Sequence, residues 1–179
     1  MTGRKKIVAI PGSTRKNSVN LSLINAITGL YSDQLEFKIF QGLAAIPHFN
    51  PDLDTDKPPE EVLAFRKELN EADGILICTP EYAMGVPGTL KNAIDWTVSS
   101  MEFADKPVAL ITASSAGHKA HLSMIETLKV IESDISEDSQ LLISFVKSKV
   151  KDSEIADKDT LEQVKKIMRS FILAIARKV

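Results

Sequence analysis

Hydroxyls at Ser13, Thr14 and Ser18, side-chain amides at Asn17 and Asn20 and the guanidinium of Arg15 share one short stretch, Gly12-Ser13-Thr14-Arg15-Lys16-Asn17-Ser18-Val19-Asn20. These are the groups that wrap a phosphate. The stretch follows the apolar run Ile7-Val8-Ala9-Ile10 and precedes an amphipathic helical pattern that begins near Val19. A strand that turns into a helix leaves the first helical N–H groups unpaired. With the positive end of the helix dipole, those donors favour an anion. Arg15 can grip phosphate oxygens bidentately, which a lysine does less well. Gly12 stands where a dinucleotide fingerprint needs three glycines, and no Gly-Lys-Ser/Thr of a Walker loop follows. The loop therefore suits a monophosphate. Read more plainly, Ser18 or Asn17 is a helix cap, which leaves Arg15 without a purpose.

Two more stretches are chemically unusual. Thr79-Pro80-Glu81-Tyr82-Ala83-Met84-Gly85-Val86-Pro87-Gly88 is stiffened by prolines and opened by glycines, so its backbone could approach a flat ligand closely. Tyr82 and Met84 would add apolar contact. As a plain turn, the same stretch would lead into a helix with Pro87 in its first turn. Thr112-Ala113-Ser114-Ser115-Ala116-Gly117-His118 is made of small residues against which a ring could lie, or is a generic strand-to-helix turn. Glu81 carries the one charge of the second loop and would either bias a bound ring or pair with a surface cation. His118 and His121 read as a solvated helix start, with a place beside an open ligand face as the alternative. Cys78 reads as a buried structural thiol.

The elements that must position these loops alternate along the chain. Buried strands are expected over Lys5–Pro11, Gly74–Thr79, Val108–Thr112 and Leu141–Val146. A half-exposed edge strand is expected at Leu35–Ile39, where Glu36 and Lys38 alternate with apolar residues. Helical spacing appears at Leu23, Ile24, Ile27 and Leu30; at Val62, Phe65 and Leu69; and from Pro87 to Trp96. It returns at Leu122, Ile125, Leu128 and Ile131, and from Leu161 to Ile175. The connection from Gln41 to Pro59 holds four prolines, a length usually reserved for binding surfaces. The charged run Lys147–Lys158 reads as a solvated connection. Such alternation predicts a three-layer sandwich: a five-stranded parallel sheet in the order 2-1-3-4-5, covered by helices on both faces. Ligands of such sheets bind at the carboxyl ends where strand order reverses, so the loops after strands one, three and four should converge.

Composition excludes several classes. The chain has 179 residues, 44% hydrophobic and 26% charged, which fits one domain over residues 1–179. A formal charge of -2 leaves no nucleic-acid footprint, and no apolar run reaches the ~18 residues of a membrane span. The basic start, Met1 to Lys6, is followed by too short an apolar run for a signal peptide. One cysteine precludes an internal disulfide. The expected compartment is the cytoplasm.

Two motifs together, Gly12-Ser13-x-Arg15-x-x-Ser18-x-Asn20-x-x-Leu23 and Pro80-Glu81-Tyr82-x-x-Gly85-x-Pro87-Gly88-x-Leu90-Lys91-Asn92-Ala93-Ile94-Asp95-Trp96, resemble the NADPH-dependent FMN reductase family of flavodoxin-like fold. The likeness extends over nearly the whole chain, including Ile46-Pro47-His48-Phe49. It implies bound FMN, with NADPH or NADH as co-substrate. It also implies a small-molecule electron acceptor: a flavin, quinone, azo compound or metal oxyanion. Ser13, Arg15, Ser18, Val19 and Asn20 would hold the phosphate end of FMN. Pro80, Glu81, Tyr82, Ala83, Met84 and Gly85 would meet the isoalloxazine ring, with Ser115 and Gly117 on its other side. A homodimer or homotetramer is implied, with the Leu90–Trp96 helix near the interface unless Leu90 and Trp96 are plain core. A carrier of electrons, reduced by a partner protein, is the competing reading. Three places depart from the family pattern: Ala83 stands where Asn is common, Ala120-His121 where a Gly-Gly pair is common, and Ser123 where an Arg is common. They concern the substrate side and leave the phosphate loop intact.

Overall fold

Period-two alternation of apolar side chains along buried strands divides the interior into two cores. The computed structural model describes residues 3–178. Strands β1 (Lys5–Pro11), β2 (Leu35–Ile39), β3 (Gly74–Thr79), β4 (Val108–Ala113) and β5 (Gln140–Ile143) form one sheet in the order β2-β1-β3-β4-β5. Every pairing in it is parallel. Val8, Ile10, Ile75, Ile77, Val108 and Leu110 project into one core, beneath α2 (Glu60–Glu71), α3 (Gly88–Asp95) and α4 (His118–Val130). Ile7, Ala9, Leu76, Cys78, Ala109 and Ile111 project into the other, beneath α1 (Val19–Tyr31) and α5 (Lys158–Ala176). All residues of β3 and β4 are buried, as a sheet covered on both faces requires. β2 alternates buried Leu35 with exposed Glu36 and Lys38, as an edge should.

Register brings the functional loops to one level. Pro11 pairs with Cys78, and Thr79 with Thr112, so β1, β3 and β4 end together. Gly12 permits this: a Cβ there would stand 2.5 Å from Thr79 Oγ1.

The long connection is pinned by α3. Asn92 accepts from the Phe49 amide at 2.7 Å and donates to the Pro47 carbonyl at 2.9 Å. Trp96, one helical turn later, donates Nε1 to the same carbonyl at 2.9 Å. Phe49 meets the Trp96 ring edge-on, centroids 5.1 Å apart. Leu90 and Trp96 are fully buried, hence core residues. Beneath the connection, Arg66 donates to Asp54 at 2.7 Å and to the Trp96 carbonyl, with Glu102 3.9 Å away. The Ser99 hydroxyl, ahead of Arg66, holds the Asp54 carboxyl below its ordinary pKa.

Three expectations need correction. The last strand stops at Ile143, because Phe145 adopts a left-handed conformation (φ 56°) and turns the chain into a 3-10 turn at Val146–Ser148. The run after it is no plain solvated connection: Val150–Lys151 and Glu154–Ile155 pair as the hairpin β6–β7, burying Val150 in the core under α1. Finally, α4 buries Ala120, Met124, Ile125 and Leu128 while Leu122 is exposed. The helix begins at His118, and the i, i+4 row from Ala120 takes the core face.

Candidate functional site

The loops after β1, β3, β4 and β5 enclose a cleft of about 460 Å³, within the range of small-ligand sites. It lies where strand order reverses between β1 and β3. Of the residues expected from sequence, Ser13, Arg15, Ser18, Val19, Asn20, Pro80, Glu81, Tyr82 and Ser115 line it together. Ala83, Met84, Gly85 and Gly117 are not among its lining residues.

The first loop is a helix cap and more. Ser18 sits at the N-cap in extended conformation and accepts from the Asn20 amide at 3.2 Å. Asn20 is 3% exposed; its Nδ2 donates to the Ala113 carbonyl at 3.1 Å, and its Oδ1 has no donor partner. A buried acceptor without a donor costs free energy, and this one belongs to the cleft lining. The Ser13 hydroxyl lies 3.0 Å from the Tyr82 hydroxyl, which ties the first loop to the second. Arg15 makes no side-chain hydrogen bond or ion pair among the described residues.

Glu81 has a role that neither sequence alternative anticipated. Its carboxylate accepts from the Gly117 amide at 3.3 Å and the Ala120 amide at 2.9 Å. Gly117, at φ 97°, has no side chain with which to cap α4, and a Cβ there would strike Leu142. Glu81 therefore caps α4 from another loop. These amide bonds, the Ala120 one foremost, hold its carboxyl below its ordinary pKa. The Glu81 amide in turn donates to Ser114 Oγ at 3.2 Å, so loops two and three are stapled at both ends. Loss of a cap costs about 1 kcal/mol, so Glu81→Ala is expected to lower unfolding free energy by about that amount at pH 7. A lowered folded-state pKa gives stability that is present above the unfolded value and lost as pH falls through the folded one. The gap between wild type and variant in urea melts should thus narrow as pH falls below the ordinary glutamate range and through the lowered folded-state pKa. A gap that does not narrow on acidification would contradict the cap.

The second loop makes a tight turn in which Tyr82 and Gly85 exchange both backbone hydrogen bonds (3.0 and 2.9 Å) around Ala83 (φ 48°) and Met84 (φ 60°). Left-handed conformations at both central positions suit Asn-Gly best. Ala83 holds the first of these positions, where an Asn would sit with less strain. The turn carries the exposed Met84 (76%) on the rim, which is why it stands apart from the cleft lining.

His118 is exposed at the start of α4, as expected. His121 is half-buried rather than fully solvated: its Nδ1 lies 2.9 Å from Thr112 Oγ1, and burial, with His118 second, pushes its pKa down. Cys78 is fully buried, and burial raises its thiol pKa.

Sequence reasoning missed the fourth wall. Phe145, Lys147 and Ser148 line the cleft from the turn after β5. The turn is fastened to the third loop by Phe145 N to Ser115 O (3.2 Å) and Val146 N to Ser114 O (3.1 Å). The signal available was topological, since β5 neighbours β4 and its carboxyl end opens at the same level.

No described helix is long and apolar enough to cross a membrane. Comparisons with known proteins agree with the geometry. A quinone reductase of Escherichia coli (strain K12) is 27% identical over 179 aligned positions, covering 96% of this chain and 95% of the relative. A 2-hydroxy-1,4-benzoquinone reductase from a Burkholderia species is 38% identical over 112 positions, 61% of this chain and 60% of that protein. Among solved structures, the flavoenzyme NAD(P)H:(acceptor) oxidoreductase FerB from Paracoccus denitrificans superposes with a TM-score of 0.76 at 24% identity. That match covers 97% of this chain and 98% of FerB. The profile of the NADPH-dependent FMN reductase family matches residues 5–147. The chain belongs to the NADPH-dependent FMN reductase family: an oxidoreductase that works with FMN and a NAD(P)H donor.

Proposed function

We propose that this enzyme passes hydride from NAD(P)H through FMN held in the cleft to a small quinone. The observation that carries the reading is the single cleft shared by an arginine-bearing helix N-terminus and a stiff, glutamate-stapled loop. The quinone is favoured over a free flavin, an azo compound or a metal oxyanion because the relative matched over 95% of its own length is a quinone reductase. The donor set fits FMN. Arg15, Ser13 and the start of α1 suit a phosphate, and the orphan Asn20 Oδ1 suits a hydroxyl donor such as the ribityl chain carries. Pro80, Glu81 and Tyr82 suit one edge of the ring, and Ser115 the other. When bound, FMN supplies the hydride-accepting ring.

The chain's own part is binding and orientation. Ser18 keeps α1 capped, so its N-terminus faces the phosphate. Arg15 supplies charge. Glu81 fixes the second loop against the third, holding both walls of the ring site at one spacing. Tyr82 bridges to Ser13 and shields the phosphate end from water. Ala83, Met84 and Gly85 stand at the rim, beside which the nicotinamide or quinone would enter, and Gly117 acts through the cap of α4. A homodimer or homotetramer, with exposed Met84, Val98, Met101 and Leu122 available for contact, belongs to this reading.

The test is spectroscopic. Purified protein is mixed with FMN, desalted, and its visible spectrum recorded without oxygen before and after adding NADPH or NADH, then benzoquinone. Retained flavin absorbance that bleaches with a nicotinamide donor and returns with quinone is expected. Retained flavin that bleaches with neither donor would favour the partner-fed carrier, and a colourless protein would overturn the reading.

A further inference from the structure

We infer that Lys147, on the turn after β5, is the second cation of the phosphate site and sets the preference for the phosphorylated flavin. This rests on the FMN reading above and deepens it. Arg15 and Lys147 line the same cleft from different loops. Neither is within ion-pair distance of a carboxylate among the described residues. Glu81 is the one carboxylate of the lining, and the amides of α4 occupy it. The lining therefore carries two cationic side chains that no carboxylate pairs with and a net charge of +1 once Glu81 is counted, although the chain as a whole is at -2.

A phosphate monoester near neutral pH carries close to two negative charges. The first loop alone is short of charge for it, since Arg15 is the one cation it puts in the lining. Arg15 answers one charge, and Lys147 answers the second. Asn20 Oδ1, almost wholly buried and unpartnered, marks the adjoining position as one that takes a hydroxyl donor. A phosphate ester of a polyhydroxy chain satisfies both features.

The turn is built to hold Lys147 there. Phe145 is a bulky residue in the left-handed region, a conformation unfavourable for a side chain of its kind. It persists because Phe145 N and Val146 N are bonded to Ser115 and Ser114, and Ser148 Oγ donates to the Phe145 carbonyl at 2.8 Å. Those bonds fix the path of residues 145–148 against the third loop.

The experiment is a pair of titrations, FMN and riboflavin, monitored by flavin fluorescence on wild type, Lys147→Gln and Lys67→Gln. Lys67 is an exposed lysine of α2, outside the loops that line this cleft, and serves as the charge-matched control. One charged hydrogen bond corresponds to roughly a ten- to thirtyfold change in affinity. Lys147→Gln is expected to bind FMN that much more weakly, with riboflavin affinity unchanged and Lys67→Gln like wild type. The salt dependence of FMN binding should flatten in the same variant. FMN affinity unchanged in Lys147→Gln would overturn the inference while leaving the FMN reading intact. Equal losses for FMN and riboflavin would also overturn it, assigning Lys147 to the turn alone. Wild type that binds neither flavin would remove the FMN reading, and this inference with it.

Discussion

Arg15→Ala is expected to weaken FMN about a hundredfold, the largest change that any one binding residue should give. A guanidinium that meets phosphate with two parallel hydrogen bonds is worth roughly 3 kcal/mol, which corresponds to about a hundredfold in affinity. Arg15 makes no side-chain bond to the rest of the chain among the described residues, so its removal should not disturb the fold. The flavin-free variant should therefore melt at the wild-type temperature. With FMN present the two should part, because a ligand at a hundred times its Kd adds about 2.7 kcal/mol of stability and the variant forfeits most of it. Riboflavin, lacking the phosphate, should bind both proteins alike. Arg15→Lys should recover part of the loss, since an ammonium keeps the charge without the fork. FMN affinity within threefold of wild type would remove Arg15 from the phosphate site.

The framework was legible in the sequence because its physics is local. Fully apolar Gly74–Thr79 and Val108–Thr112, and the alternating Leu35–Ile39, can be placed only in a covered parallel sheet with a polar edge, and the sheet has that order. The cleft was legible as far as its residues adjoin a motif, as Ser13, Arg15, Ser18 and Asn20 do. What escaped depends on contacts distant in sequence. Glu81 meets the start of α4 some forty residues on, and nothing beside it in the chain tells a cap from a surface charge. Lys147 looks like any lysine in a charged run until β5 ends three residues earlier than its hydrophobicity suggests. The cause is the backbone sign at Phe145, which no hydrophobic period encodes. His121 is likewise defined by Thr112, on the neighbouring strand. Asn92 and Trp96 stood within a recognised motif, yet their task of pinning Pro47 and Phe49 shows only once α3 and the long connection are packed.

Arg66→Ala should destabilise the enzyme by about 3 kcal/mol, because the side chain it removes neutralises a nearly dry cluster. Arg66 and Asp54 are each 11% exposed and Glu102 only 3%. Arg66 joins them to the Trp96 carbonyl just beyond the end of α3, where the helix dipole is negative and its last acceptors lack partners. Truncation leaves both carboxylates, and that carbonyl, without the guanidinium that joins them. Breaking a buried pair from one side is the costly direction, roughly 3–5 kcal/mol, whereas replacing a whole pair by apolar groups is often neutral. That asymmetry supplies the control. Asp54→Asn added to Arg66→Ala removes one of the stranded charges, so the double variant should be more stable than the sum of the single losses predicts. A coupling of about 1 kcal/mol or more in the double-mutant cycle is expected from urea melts. The consequence reaches the site, since Asp54 belongs to the connection that Asn92 and Trp96 also hold. Looser anchoring should show as faster amide exchange across residues 46–54, while β3 and β4 stay protected. Additive losses, or unfolding free energies within 1 kcal/mol of wild type, would mean that water already screens the cluster and that the aromatic and amide contacts of α3 hold the connection alone.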